Sequence, residues 1–304
     1  MTAVARLTDV TMRFREHTAL DQVDVALEQG SITGLLGRNG AGKTTMLQVL
    51  TGHRVPTSGV VEVFGAAPYE NDAVLRRISF IKEGQRHPDH FRVRDALTAA
   101  ARTLPSWDGD LAGSLVREFD LPAGRKIKKL SRGMNSAVGI TIGLASRAPV
   151  TLFDEPYLGL DAVARRLFYD RLLADHAEHP RTIVLSTHLI EEISDLLEHI
   201  RLIDRGRIRL DADAPSLRGS AVTVTGDGER VAAFADRHEL IRTESVGRQS
   251  RAVVRLVENG HPDDPSAMGL SWEPASLQQL VVAMSLPTQG AAARVPADLE
   301  GVPR

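Results

Sequence analysis

The 304-residue chain contains no cysteine. Disulfide bridges and thiolate zinc sites are therefore excluded, which fits a reducing compartment. Aromatic residues make up only 4% of the chain and there are just five lysines, so arginine supplies most of the positive charge. Opposite charges nearly cancel, to a formal −2, which leaves no electrostatic footprint for nucleic acid, and no nucleic-acid partner is expected. No run of about 18 apolar residues is present, so no segment is expected to span a membrane. The opening MTAVARLTDV lacks the charged-then-apolar layout of a secretory signal. A cytoplasmic location follows as the expectation, with any membrane role reached through a partner.

With 42% apolar residues, the length suffices for one large domain and a smaller one. Residues 4–14 and 20–28 read as two strands around a turn, and SITGLLG, at 31–37, reads as a short buried strand. KTTMLQVLTG, at 43–52, reads as a helix stopped by Gly52. Further strands are expected in GVVEVFG (59–65), RRISFIKEG (76–84), VTLFDEP (150–156) and TIVLSTH (182–188). Between about Arg92 and Arg147 the pattern turns helical. Alternating strands and helices predict an α/β fold with a mainly parallel core sheet, and the helical stretch reads as an inserted subdomain. IRLIDRGRIRLDA predicts a hairpin turning at Arg205-Gly206. Past Pro215 the signals weaken to strands in AVTVTG and RAVVRLVE and a helix in SLQQLVVAMSL. The expected division is residues 1–212 as the main domain, 213–287 as a small α+β accessory domain and 288–304 as a disordered tail.

The chemistry begins at GRNGAGKT, residues Gly37, Arg38, Asn39, Gly40, Ala41, Gly42, Lys43 and Thr44. A strand precedes it and a helix follows, which is the context of a phosphate-binding loop. Its glycines let backbone N–H groups turn inward around phosphates, Lys43 can reach the outer phosphates, and the Thr44 hydroxyl suits Mg²⁺. Thr45 comes next and either joins the site or only packs. Asp154 ends an apolar strand, where a carboxylate can hold Mg²⁺. Glu155 is expected to point elsewhere, free to polarise a water for attack on the γ-phosphate. A second helix start with anion-binding character lies in KLSRGMNSAVG, where Ser131 is placed as an N-cap and Gly133 leaves the first turn bare.

These motifs, in this order, resemble those of the ATP-binding subunit of an ABC transporter, over about residues 3–212. The resemblance implies an α/β cassette of the phosphate-loop NTPase class with an antiparallel β subdomain, the parallel core and a helical subdomain at about 92–147. It implies ATP and Mg²⁺ as ligands and ATP hydrolysis coupled to transport. LSRGM resembles the family's signature loop, which places Ser131 and Gly133 on the ATP of a second copy in a head-to-tail dimer. GLD at 159–161 resembles the loop after the acidic pair and places Asp161 among the nucleotide residues. STH resembles the switch histidine, making His188 catalytic beside Glu155, and Phe14 takes the place of the aromatic residue that stacks on adenine. Taken alone, a His after a strand or a Phe near a strand end is more often structural.

The chain departs from the family pattern twice. Arg132 and Met134 replace the third and fifth residues of the usual Leu-Ser-Gly-Gly-Gln signature. Where the family carries a Mg²⁺-sensing Gln after the ISF strand, this chain has Glu83, with Gln85 two residues on. A carboxylate can ligate Mg²⁺ but, ionised, cannot donate a hydrogen bond. The implied partners are a membrane-embedded permease, which would hold the chain at the inner face of the membrane, and a second ATP-binding subunit. Signature and short accessory segment together resemble exporters more than importers. A cytoplasmic ATPase of the same superfamily acting on DNA or ribosomes is the alternative, but a single cassette without long coiled-coil arms speaks against it. A small-molecule kinase would have no use for the signature loop or the switch histidine. A clamp that barely hydrolyses would not need both Glu155 and His188.

Overall fold

The computed structural model describes residues 2–82, 84–255 and 264–285. Glu83 and the tail expected at 288–304 lie outside the described residues. The chain divides into two compact units, residues 1–216 and 217–304.

In the first unit, β1 (Ala3–Phe14) and β2 (His17–Glu28) form a hairpin, with Val10 facing Val23. β3 (Ile32–Leu36) is buried along its whole length and leads through the glycine loop into the helix Lys43–Leu50. β4 (Ser58–Val63) pairs with β1, giving an antiparallel sheet of order β2-β1-β4. β5 (Ile78–Lys82) precedes three helices, Val93–Thr103, Gly109–Glu118 and Arg132–Ala145. β6 (Val150–Asp154), the helix Ala162–Glu178, β7 (Thr182–Thr187), β8 (His199–Asp204) and β9 (Arg207–Asp213) complete the unit. The second sheet has the order β5-β6-β7-β3-β8-β9, parallel except for the final β8–β9 hairpin.

Every residue of β3, β6 and β7 is buried. Strands covered on both faces read as continuous apolar runs, and ITGLL, VTLFD and TIVLST follow that rule. The helix Arg132–Ala145 comes close to this sheet: a Cβ on Gly143 would lie 2.5 Å from the Phe153 ring and 2.8 Å from Ile81. Close packing here fixes the helix whose N-terminus carries the signature residues.

Parallel register brings the chemistry to one edge. Leu36 pairs with Thr187 and Asp154 with Ser186, so β3, β6 and β7 all end at the same side of the sheet. Ligands of open α/β sheets bind at the carboxyl ends of the strands.

The second unit is an antiparallel sheet of order β11-β12-β10-β13, built from β10 (Ala221–Asp227), β11 (Glu239–Val246), β12 (Gln249–Arg255) and β13 (Ser271–Pro274). Side chains alternate across it. Val222, Val224, Ala252 and Val254 pack with Val231 and Phe234 of the helix Gly228–Ala235. Ala221 and Val253 pack on the other face with Leu280 and Ala283 of the helix Leu277–Ser285.

Candidate functional site

A cleft of about 550 Å³ opens at the carboxyl edge of β3, β6 and β7 and is lined by Phe14, Asn39, Gly40, Lys43, Thr44, Thr45, Asp154, Glu155 and His188, among others. The loop that forms one wall depends on its glycines. Gly42, the N-cap of the helix Lys43–Leu50, has φ 116°, and a Cβ there would lie 2.6 Å from the Ala19 carbonyl. A side chain would meet both strain and backbone at that position. Ala41 faces inward and packs in the core, while Arg38 contributes its carbonyl to the turn.

Lys43 is 5% exposed, and its Nζ donates to the carbonyls of Gly37 at 2.7 Å and Arg38 at 3.2 Å. The same ammonium lies 3.2 Å from Glu155 Oε1. Glu155 thus holds the lysine assigned to phosphate, a contact the sequence does not announce. It has φ 48°, an uncommon backbone region for a side-chain-bearing residue, and its N–H donates to Ser186 O at 3.1 Å. Its carboxylate reaches His188, whose Nδ1 is 3.1 Å from Glu155 Oε2. Lys43, Glu155 and His188 therefore form one contiguous polar chain across the cleft.

Thr44 Oγ1 donates to Asp154 Oδ2 at 2.7 Å. Asp154 is 3% exposed and its other oxygen, Oδ1, is buried with no hydrogen-bond partner. Burial pushes this carboxyl above the usual range, and the Thr44 hydrogen bond and the nearby Ser186 hydroxyl oppose that only in part. An orphaned buried carboxylate oxygen beside a threonine hydroxyl fits Mg²⁺, which takes one or two protein oxygens and draws its other ligands from phosphates and water. Among the described residues no cluster of three His, Asp or Glu side chains forms a complete metal cage.

Phe14 is half-buried, with one face in the cleft and the Arg54 guanidinium 5.1 Å from its ring centroid. Thr45 also lines the cleft. Ser131, Gly133 and Asp161 do not line it. Ser131 Oγ accepts from Met134 N at 3.2 Å, capping the helix Arg132–Ala145, which leaves its own proton available to donate. Asp161 Oδ1 accepts from Ala164 N at 2.8 Å and caps the helix Ala162–Glu178. A Cβ on Gly133 would lie 2.4 Å from the Gly159 carbonyl, so the signature turn seats directly on the GLD loop of its own chain. Gln85 is half-buried with Oε1 unpaired, in a small cavity also lined by Asn135 and Pro156.

Sequence reasoning passed over Tyr157. Its hydroxyl lies 3.0 Å from His188 Nδ1 and accepts from His188 N at 3.1 Å and Thr187 Oγ1 at 2.9 Å. A single tyrosine after an acidic pair carries no motif, and only the β6–β7 register shows what it meets.

The family model described as ABC transporter matches residues 20–158. The chain is 30% identical to the bacitracin transport ATP-binding protein BcrA of Bacillus licheniformis over 211 residues, 68% of this chain and 69% of that protein. It is 32% identical to the phosphonates import ATP-binding protein PhnC 1 of Natronomonas pharaonis, over 73% of this chain and 98% of that one. In fold it is similar to the ATP-binding cassette MJ0796, solved as a dimer in a post-hydrolysis state bound to ADP and Pi, with a TM-score of 0.61 and 22% identity, over 69% of this chain and 98% of that one.

Proposed function

This chain belongs to the ABC transporter ATP-binding family, and on that premise we propose how its cleft hydrolyses ATP and what the hydrolysis drives. Lys43 exchanges its carbonyl and Glu155 contacts for the outer phosphates of ATP, and the loop amides cradle them. Thr44 and Asp154 would hold Mg²⁺, and the family resemblance makes Glu83 a candidate further ligand. Bound there, the ion would supply charge neutralisation at the phosphates. Released from Lys43, the Glu155 carboxylate polarises the attacking water, and His188 donates toward the γ-phosphate. Phe14 stacks on the base. Ser131 and Gly133 close over the ATP of a second copy, with Asp161 fixing the helix beside them.

The observation that carries this reading is the single cleft in which Lys43, Glu155 and His188 are contiguous beside the unpaired Asp154 Oδ1. ATP then acts as glue between two chains, and hydrolysis releases them. Glu155→Gln with ATP and Mg²⁺ should move the protein to a dimer by light scattering. Adding Ser131→Arg should return it to monomer with ATP still bound, and a double variant that dimerises as readily as Glu155→Gln would exclude the shared site.

The work is delivered to a separate membrane-embedded permease. Among the described residues no helix is long and apolar enough to cross a membrane. Direction is proposed as export, on the Leu-Ser-Arg-Gly-Met signature and the short accessory segment after the cassette; relatives named for export and for import match at similar identity, 30% and 32%. In inside-out vesicles carrying the chain together with its permease partner, added ATP should fill the lumen with substrate. Emptying of a preloaded lumen would reverse the assignment.

A further inference from the structure

Tyr157 sits in the turn after β6, only 2% exposed, and nothing above gives it a task. Its hydroxyl oxygen already receives two donors, Thr187 Oγ1 and the backbone N–H of His188. Burial pushes the phenol up to about 12, so it keeps its proton at any working pH. That proton needs an acceptor, and His188 Nδ1 stands 3.0 Å away, with the two rings edge to face and their centroids 5.7 Å apart.

The same nitrogen lies 3.1 Å from Glu155 Oε2. The two neighbours ask opposite things of it. A carboxylate is attracted only to an Nδ1 that carries a proton, whereas a hydroxyl donating its proton needs Nδ1 bare. In a neutral imidazole the proton sits on one nitrogen or the other, so choosing a partner for Nδ1 also decides whether Nε2, at the cleft, is a donor. Among the described residues Nε2 has no hydrogen-bond partner, and His188 lines the cleft.

We propose that Tyr157 is a positioning residue that sets the tautomer of His188. While Glu155 holds the ring, the proton is on Nδ1. When Glu155 turns to the attacking water, the Tyr157 O–H takes over Nδ1, and the ring carries its proton on Nε2, aimed at a γ-phosphate oxygen. The exchange conserves the ring's protons: Nδ1 releases one to cleft water and Nε2 takes one from it. Thr187 and the His188 backbone hold the hydroxyl in place, so it is ready before nucleotide arrives. The inference rests on the roles proposed above for Glu155 and His188.

The test is Tyr157→Phe in the full chain, which keeps the ring and removes the proton donor. The KM for ATP should stay within twofold while kcat falls about tenfold or more; in a serine protease triad a wrong histidine tautomer costs about 10⁴. Nitrogen NMR of histidine-labelled protein with Mg²⁺ and a non-hydrolysable ATP analogue reads the tautomer directly. Wild type should show His188 protonated on Nε2, and Tyr157→Phe should lose that preference. A Tyr157→Phe protein with wild-type kcat, or one with lowered kcat but an unchanged tautomer, overturns the proposal. A wild-type rate that survives His188→Ala would instead sink the site reading beneath it, and the two failures are distinguishable in the same set of assays.

Discussion

Lys43 Nζ stands 3.2 Å from Glu155 Oε1. The cation proposed above for phosphate and the carboxylate proposed above for water hold each other, so in the proposed reaction ATP has to separate them. Glu155→Gln removes the charge that competes for Lys43. ATP affinity should be equal to or tighter than wild type, while hydrolysis falls by about 10² to 10⁴, the usual worth of a general base. Equilibrium binding and phosphate release on one preparation check both halves; weaker binding would show that Glu155 supports the loop instead of competing for its lysine.

Gly133→Ala should lower the melting temperature of the chain even without nucleotide. The new methyl would meet the Gly159 carbonyl, a backbone atom that cannot rotate aside. Ser131→Ala should cost about 1 kcal/mol through the lost helix cap. Thermal melts of the nucleotide-free variants read both, and a Gly133→Ala protein that melts like wild type would leave phosphate approach as the glycine's sole reason.

Phe14→Ala should weaken nucleotide affinity by about 1–3 kcal/mol, the scale of base–aromatic stacking at nucleic-acid sites. The Arg54 contact on the ring also disappears, but Arg54 is surface-exposed and remains solvated. Titration calorimetry against ATP and against triphosphate alone separates the contributions. Equal losses for both would place Phe14 in packing and not on the base.

Asp154→Asn should raise the melting temperature at neutral pH while removing Mg²⁺-dependent turnover. Burial raises the folded-state pKa of Asp154 above its unfolded value, so the fold binds this proton more tightly than the unfolded chain does. Stability is therefore lost as pH rises from the unfolded pKa through the folded one, and it stays lost at neutral pH. Asparagine carries no such penalty and can still accept from Thr44. The gain should shrink on acidification; a melting temperature that falls at every pH would mean the carboxylate supports the fold.

A chain ending at Ser216 should fold and bind ATP, because every residue of the cleft precedes that point and the two units have separate cores. Soluble, folded protein that cannot bind ATP would show that the second unit completes the site.

Much of this was legible because it is written in short-range sterics. GRNGAGKT specifies its loop through glycines that backbone contact demands, and the runs of β3, β6 and β7 announce strands buried on both faces. The second unit was harder to read. ELIRTESV forms β11 as an edge strand with few buried side chains, so its alternation is faint, and β13 is only four residues long. The site's finer wiring was illegible for a different reason. That Glu155 reaches both Lys43 and His188, that Tyr157 reaches His188, and that Gly133 rests on Gly159 all depend on strand register and helix placement over long sequence separations.

Steady-state phosphate release by the purified full-length chain, with Mg²⁺ and ATP, is the decisive measurement when wild type and Lys43→Ala are run side by side. Wild type should turn over and Lys43→Ala should lose nearly all activity, with both proteins folded by their melting curves. Equal rates in the two would contradict the proposed site, because the cleft at the ends of β3, β6 and β7 would then not be where ATP is hydrolysed.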